Sequence, residues 1–277
     1  MVNLILAILC SSLISIIMRI STDRVSGKFS MLATNYLVCS LFGAAYAGFS
    51  IFPTSPELPK TLFLGIINGV LYLVSFSLLQ KNTDKRGVVL SSIFMKLGLL
   101  VPIVLSILFF DEFPSFMQIS GFIIAVISII LINLNKEKNK KNFGISLIVL
   151  LLFGGFADAM SKVYEFYGEQ RLTNQFLFYT FITAFIICLI IMLIKKEKTA
   201  FKDILFGTAI GIPNFFSSKF LIAALSDIDA VVAYPTFSVA TILIVTVMGI
   251  LVFKEKLSKL QWGALLLIII SLILLNM

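Results

Sequence analysis

The sequence predicts an all-α polytopic membrane protein, with ten transmembrane helices in two inverted five-helix repeats. Three observations predict it: an apolar composition, long apolar runs broken only by short polar stops, and a self-similarity at an offset of 143 residues. Of 277 residues, 59% are hydrophobic and 13% charged, with 27 Phe, 1 Trp and no His, and the mean hydropathy is +1.07. Soluble domains run nearer about 45–50% apolar and about 25% charged, so a soluble enzyme, a disordered tail protein and a secreted disulfide scaffold are excluded. A β-barrel is excluded too, because its strands alternate polar and apolar over about 10 residues, whereas these runs are continuous.

A membrane-spanning helix needs about 20 mostly apolar residues. The chain offers such runs at 2–21, 30–50, 61–80, 87–110, 116–134, 143–168, 174–194, 202–225, 229–253 and 258–276. The first lacks a basic leader region or a cleavage site and reads as a retained span. A Pro/Ser/Glu cluster at 53–59 separates the second and third runs. The polar segments QKNTDKRG (80–87), NKEKNKKN (135–142) and KKEKTAFKD (195–203) stop the third, fifth and seventh. Cys10, Cys39 and Cys188 all lie inside apolar runs and read as packing residues, so neither disulfide nor metal site is expected.

Sliding the chain by 143 residues superposes 88–133 on 231–276 with identities in register, among them Glu112/Glu255, Gln118/Gln261 and Asn133/Asn276. A shift one residue shorter matches Gly65 with Gly207 and Gly69 with Gly211. Two repeats follow, 1–134 and 143–277. Five helices is an odd number, so the second repeat enters the membrane from the opposite side. That inverted arrangement is a signature of secondary transporters, whose substrate sites lie near the midplane.

Of the 22 Lys and Arg, 16 fall in loops on one face, two (Lys60 and Arg171) on the other, and four lie within spans. The positive-inside rule makes the basic face cytoplasmic and puts both termini outside. The net charge of +8 is therefore topological, and no nucleic-acid partner is expected.

The four intramembrane cations are Arg19, Lys96, Lys162 and Lys219. A lysine at a helix centre costs about 2.5–3.5 kcal/mol on the translocon insertion scale and turns to the bundle interior, so Lys96 and Lys219 are candidate substrate-binding residues. Asn68, Tyr72, Asn214 and Tyr234 are candidate polar contacts. Asp158, Lys162 and Glu165 share one helical face, with Asp158–Lys162 as the expected ion pair, either a static neutraliser or a proton-coupled switch. Arg19, Glu112 and Glu255 are candidate gate residues at span ends. The GxxxG glycines permit close helix approach. Pro102, Pro213 and Pro235 predict bends or broken helices, with Pro213 beside Asn214 the foremost candidate. No cofactor, metal or ATP-driven step is expected: a Walker A motif, a metal-ligand cluster and any His-based triad are all missing.

The segments FFDEFPSFMQISGFIIAVISIILIN (109–133) and VFKEKLSKLQWGALLLIIISLILLN (252–276) resemble the drug/metabolite transporter superfamily, EamA-type, with its span–Glu–short turn–Gln–Gly–aliphatic pattern. The resemblance covers nearly the whole chain. It implies ten helices in two five-helix repeats, a cavity lined by helices 1–4 and 6–9, and peripheral helices 5 and 10. The chain departs from the pattern before each Glu, where Asp111 and Lys254 replace a small residue. The resemblance also implies cytoplasmic termini, against the charge sorting. The expected protein is a secondary active transporter in the plasma membrane, an exporter moving a small organic metabolite or drug-like solute by alternating access. The excess of intramembrane cations points to a substrate bearing carboxylate or phosphate. A proton or another ion is the expected coupling species, and the assembly a monomer or homodimer. A non-transporting receptor or helper is the alternative, ahead of a membrane-embedded enzyme acting on a lipid-linked group.

Overall fold

The computed structural model describes residues 1–21, 24–86, 88–133, 145–252, 254 and 258–277. Among them there are α-helices and turns but no strand. In chain order the helices are α1 (Val2–Ser21), α2 (Lys28–Tyr46), α3 (Leu58–Arg86), α4 (Val88–Leu97), α5 (Leu100–Phe109), α6 (Phe116–Asn133), α7 (Ile145–Tyr167), α8 (Thr173–Ile194), α9 (Phe201–Leu225), α10 (Ala230–Leu251) and α11 (Lys259–Leu275). Seven segments are long and apolar enough to cross a membrane, and three shorter apolar stretches lie at Phe94–Phe109, Phe116–Leu131 and Lys259–Leu275. Each expected span meets a helix, but two boundaries move. The polar stop at 80–87 is helical as far as Arg86, extending α3 by more than a turn. The expected fourth span is not one helix: it breaks at Gly98–Leu99 between α4 and α5.

That break has a local cause. Pro102 has no N–H to give the Gly98 carbonyl, its α-helical partner, and sits instead in the first turn of α5, where a proline is tolerated. Val101 N–H takes the Gly98 carbonyl at 2.9 Å, and Gly98 N–H closes a tight turn onto Met95 O at 3.2 Å. Pro213 and Pro235, by contrast, lie inside continuous helices. The expectation that Pro213 marks the broken helix is thus corrected: the break belongs to Pro102, which has a glycine four residues before it.

The chain divides into two compact units. One contains Val2–Leu73 and Met160–Ala224. In it α2 packs along α8, with Tyr36 stacked on Phe181 at 6.4 Å between ring centroids and Gly43 pressed against the Phe178 backbone. A Cβ on Gly65 or Gly69 of α3 would fall 2.6 Å from Tyr179 Cβ or 2.5 Å from Thr180 O of α8. Gly207 and Gly211 of α9 do the same against α2, where a Cβ would meet Met31 O at 2.5 Å and Asn35 O at 2.8 Å. All four glycines are therefore needed for helix contact. On α1 the residues Ile5, Leu9 and Leu13 are exposed at a spacing of four, an apolar stripe suited to lipid.

The other unit contains Val74–Ala159 and Leu225–Met277, together with Met1. Its core joins α6 and α11 through Ala125, Ile129, Ala264, Leu265 and Ile268, with Leu99, Ile103, Val231 and Val239 from α5, α10 and the break. Ser258 and Gln261 form a capping box at the start of α11, the reciprocal pairing that satisfies two free N–H groups. Asp111 and Lys254, which lie 143 residues apart, both adopt left-handed backbone, with φ of 55° and 52°.

Candidate functional site

Polar and charged side chains lie within the apolar helices of both units. In the unit of Val74–Ala159 and Leu225–Met277, the centre is the break between α4 and α5. Lys96 stands two residues before Gly98, in the last turn of α4, where free carbonyls favour a cation. The break is seated on Gly154–Gly155 of α7: a Cβ on Gly155 would lie 2.3 Å from Gly98 O, and one on Gly154 would lie 3.0 Å from Met95 Sδ. Asp158 stands one turn further along α7. Tyr234 of α10 donates its hydroxyl to the Asp158 carbonyl at 2.8 Å. Asp158 and Tyr234 are thus brought together. Glu112 is also in this unit, at the start of α10, where its Oε2 accepts from Ala230 N at 2.6 Å and Val231 N at 3.3 Å. The expected gate residue is a helix cap.

In the unit of Val2–Leu73 and Met160–Ala224, Asn214 donates to Asn35 Oδ1 at 3.2 Å, and Cys39 Sγ lies 3.2 Å from Gly211 O. Asn68 Nδ2 donates to Thr180 Oγ1 at 3.4 Å, while Asn68 Oδ1 is buried without a hydrogen-bond partner. Tyr72 sets its ring edge-on to Phe181 at 6.2 Å. Lys219 places Nζ 3.5 Å from the centroid of Tyr46 and 5.9 Å from that of Phe215. Lys162 is buried, and the ion pair it forms is with Glu165 at 2.8 Å. The expected Asp158–Lys162 pair is corrected accordingly. Glu165, three residues after Lys162, lies on the same helical face and takes its ammonium. Arg19 is exposed in the last turn of α1, and Glu255 lies outside the described residues.

Sequence reasoning passed over several participants. Asp203, fully buried, accepts from Ser26 N at 2.9 Å, Gly27 N at 3.2 Å and Ala200 N at 2.8 Å. Glu197 Oε1 accepts from Phe29 N at 2.8 Å and Ser30 N at 3.0 Å. Both carboxylates sit in the segment read only as a basic stop, yet they fasten the start of α2. Asn35 and Thr180 were legible as polar residues inside apolar runs. Tyr46 and Phe215 carried no signal among so many aromatics.

The comparisons agree with this architecture. The model of the EamA-like transporter family matches residues 1–134 and 142–277. An uncharacterized protein of Haemophilus influenzae is 27% identical over 277 aligned positions, covering 94% of this chain and 92% of its own. A protein crystal structure superposes with a TM-score of 0.76 at 13% identity, covering 99% of this chain and 94% of that one, which shows a shared fold. With its helices, its membrane-depth charges and a family match across nearly its full length, the chain belongs to the EamA-like transporter family.

Proposed function

We propose that the chain is a secondary transporter that moves a small organic solute bearing carboxylate or phosphate across the plasma membrane by alternating access. Its ten spans form two inverted five-helix repeats in this reading. Support comes from the double match of the family and from the glycine contacts, in which α3 meets α8 through the same kind of pairing as α9 meets α2. The shared left-handed backbone at Asp111 and Lys254 supports it as well.

The observation that carries the reading is the broken helix after Lys96, seated on Gly154–Gly155 of α7 one turn before Asp158. Irregular backbone at membrane depth is tolerated where it is buried in protein or lines a cavity, and discontinuous helices are where secondary transporters build their sites. Asp158 and an anionic solute compete for one ammonium group. Protonating Asp158 releases Lys96 to the solute, and loss of that proton returns Lys96 to Asp158. Binding and proton movement are coupled by that exchange.

Solute flux in proteoliposomes, with and without a pH gradient, tests the reading. Lys96→Gln is expected to lower flux at least tenfold. Asp158→Asn is expected to keep flux but remove its acceleration by the gradient. Unchanged flux and unchanged gradient response in both variants would refute the coupling. Absence of flux for every solute that binds the protein would refute transport itself.

A further inference from the structure

The lysines held at membrane depth differ in what balances them. Lys162 has Glu165 at 2.8 Å. Lys219 faces rings instead, and no ion pair joins it to a carboxylate among the described residues. It lies on α9, six residues before that helix ends at Leu225, or about 9 Å along the axis. Its ammonium stands over Tyr46, the last residue of α2.

Those rings form a wall. Tyr46 stacks on Phe215 at 5.6 Å and meets Phe216 edge-on at 5.8 Å. Phe42 stacks on Phe215 at 5.8 Å and meets Phe216 edge-on at 5.7 Å. Phe215 is fully buried and Lys219 half-buried, while Tyr46 keeps 48% of its surface exposed. Burial of Phe215 fixes the wall, and nearly half of Tyr46 stays exposed beside the cation.

A ring face attracts a cation but does not neutralise it, so the site keeps a full positive charge at the margin of a low-dielectric region. An anion would supply the missing charge, and an apolar or aromatic body would cover the exposed part of Tyr46. We propose that Lys219 with Tyr46 and Phe215 is a recognition site for an amphiphilic organic anion, with a carboxylate or phosphate on the ammonium and its apolar body against the Tyr46 ring. The proposal rests on the reading of the chain as an organic-anion transporter and names a site for that substrate beyond the broken helix at Lys96. A second cation at this place would repel Lys219, so an organic cation is the disfavoured ligand.

Equilibrium binding to the full-length protein in neutral detergent tests the site without requiring transport. The probes are benzoate, phenyl phosphate, hexanoate and benzyltrimethylammonium. At least one of the three anions is expected to bind, and Lys219→Gln to weaken it by about tenfold or more, as loss of a charge-assisted contact should. Lys219→Arg, which keeps the charge and can stack on a ring, is expected to hold affinity within about threefold. Tyr46→Leu is expected to weaken benzoate more than hexanoate. Because Lys219→Arg and Tyr46→Leu retain the cation, they remain informative even if Lys219→Gln does not fold.

The proposal is overturned if no anion of the set binds, if Lys219→Gln binds them as the wild type does, or if benzyltrimethylammonium binds as tightly as benzoate. It is also overturned if phosphatidylglycerol alone stabilises the protein through Lys219 while the soluble anions do not, which would make the site a lipid-headgroup contact. Binding lost in Lys96→Gln but kept in Lys219→Gln would leave the transport reading standing without this site. Lys219-dependent binding with no flux in proteoliposomes would preserve the site and remove the transport reading.

Discussion

Single positions show where this chain departs from its own best design. Asp111 and Lys254 hold φ of 55° and 52°, a region that costs an L-residue about 1–2 kcal/mol and that glycine enters freely. The EamA pattern places a small residue before each Glu, and the backbone explains why. Lys254→Gly is therefore expected to raise stability by about 1 kcal/mol, less the added freedom of the unfolded chain. Asp111→Gly is expected to gain less, because Asp tolerates left-handed backbone better than Lys. Thermal unfolding in detergent checks both. The intramembrane charges show what sequence spacing resolves and what it leaves open. Positions 158, 162 and 165 lie on one face, as expected, but spacing alone did not choose between two carboxylates for Lys162. Glu165 took Lys162.

Among elements, the carboxylate caps are the main surprise. Helix N-termini leave four N–H groups unsatisfied, and a carboxylate is the strongest acceptor a side chain offers them. Glu112 serves α10, while Glu197 and Asp203 serve α2 and the residues before it. Asp203→Ala is expected to lower stability by about 1–3 kcal/mol, since it strands buried N–H groups. A fall in the midpoint of thermal unfolding with no change in helical content measures it. These caps were illegible in the sequence because their partners are far apart: Asp203 and Ser26 are separated by 177 positions. The broken helix was only half legible. Pro102 was flagged together with two other prolines, and what singles it out is Gly98, which lets the backbone turn where it meets Gly155. The glycines at 65, 69, 207 and 211 were read correctly as packing residues because small side chains have one physical use at that spacing.

At the scale of the molecule, composition and periodicity carried most of the fold. Apolar runs must become helices in lipid, since every backbone polar group has to be satisfied internally, and the helices found follow the runs with small shifts. Sidedness rests on charge alone, and the prediction is specific. With single cysteines placed in an otherwise cysteine-free chain, position 198 is expected to react with an impermeant maleimide only from the cytoplasmic side, and position 171 only from outside. The reverse pattern would place the termini inside, as the family resemblance implies. The central claim is that Lys96 and Asp158 couple a proton to the movement of an organic anion, and counterflow in proteoliposomes tests it most directly. Vesicles preloaded with unlabelled benzoate, or whichever anion binds best, are expected to accumulate the labelled anion transiently and saturably. The overshoot should vanish in Lys96→Gln and lose its dependence on a pH gradient in Asp158→Asn. Accumulation no different from that of protein-free vesicles, or identical in wild type and Lys96→Gln, would contradict the account.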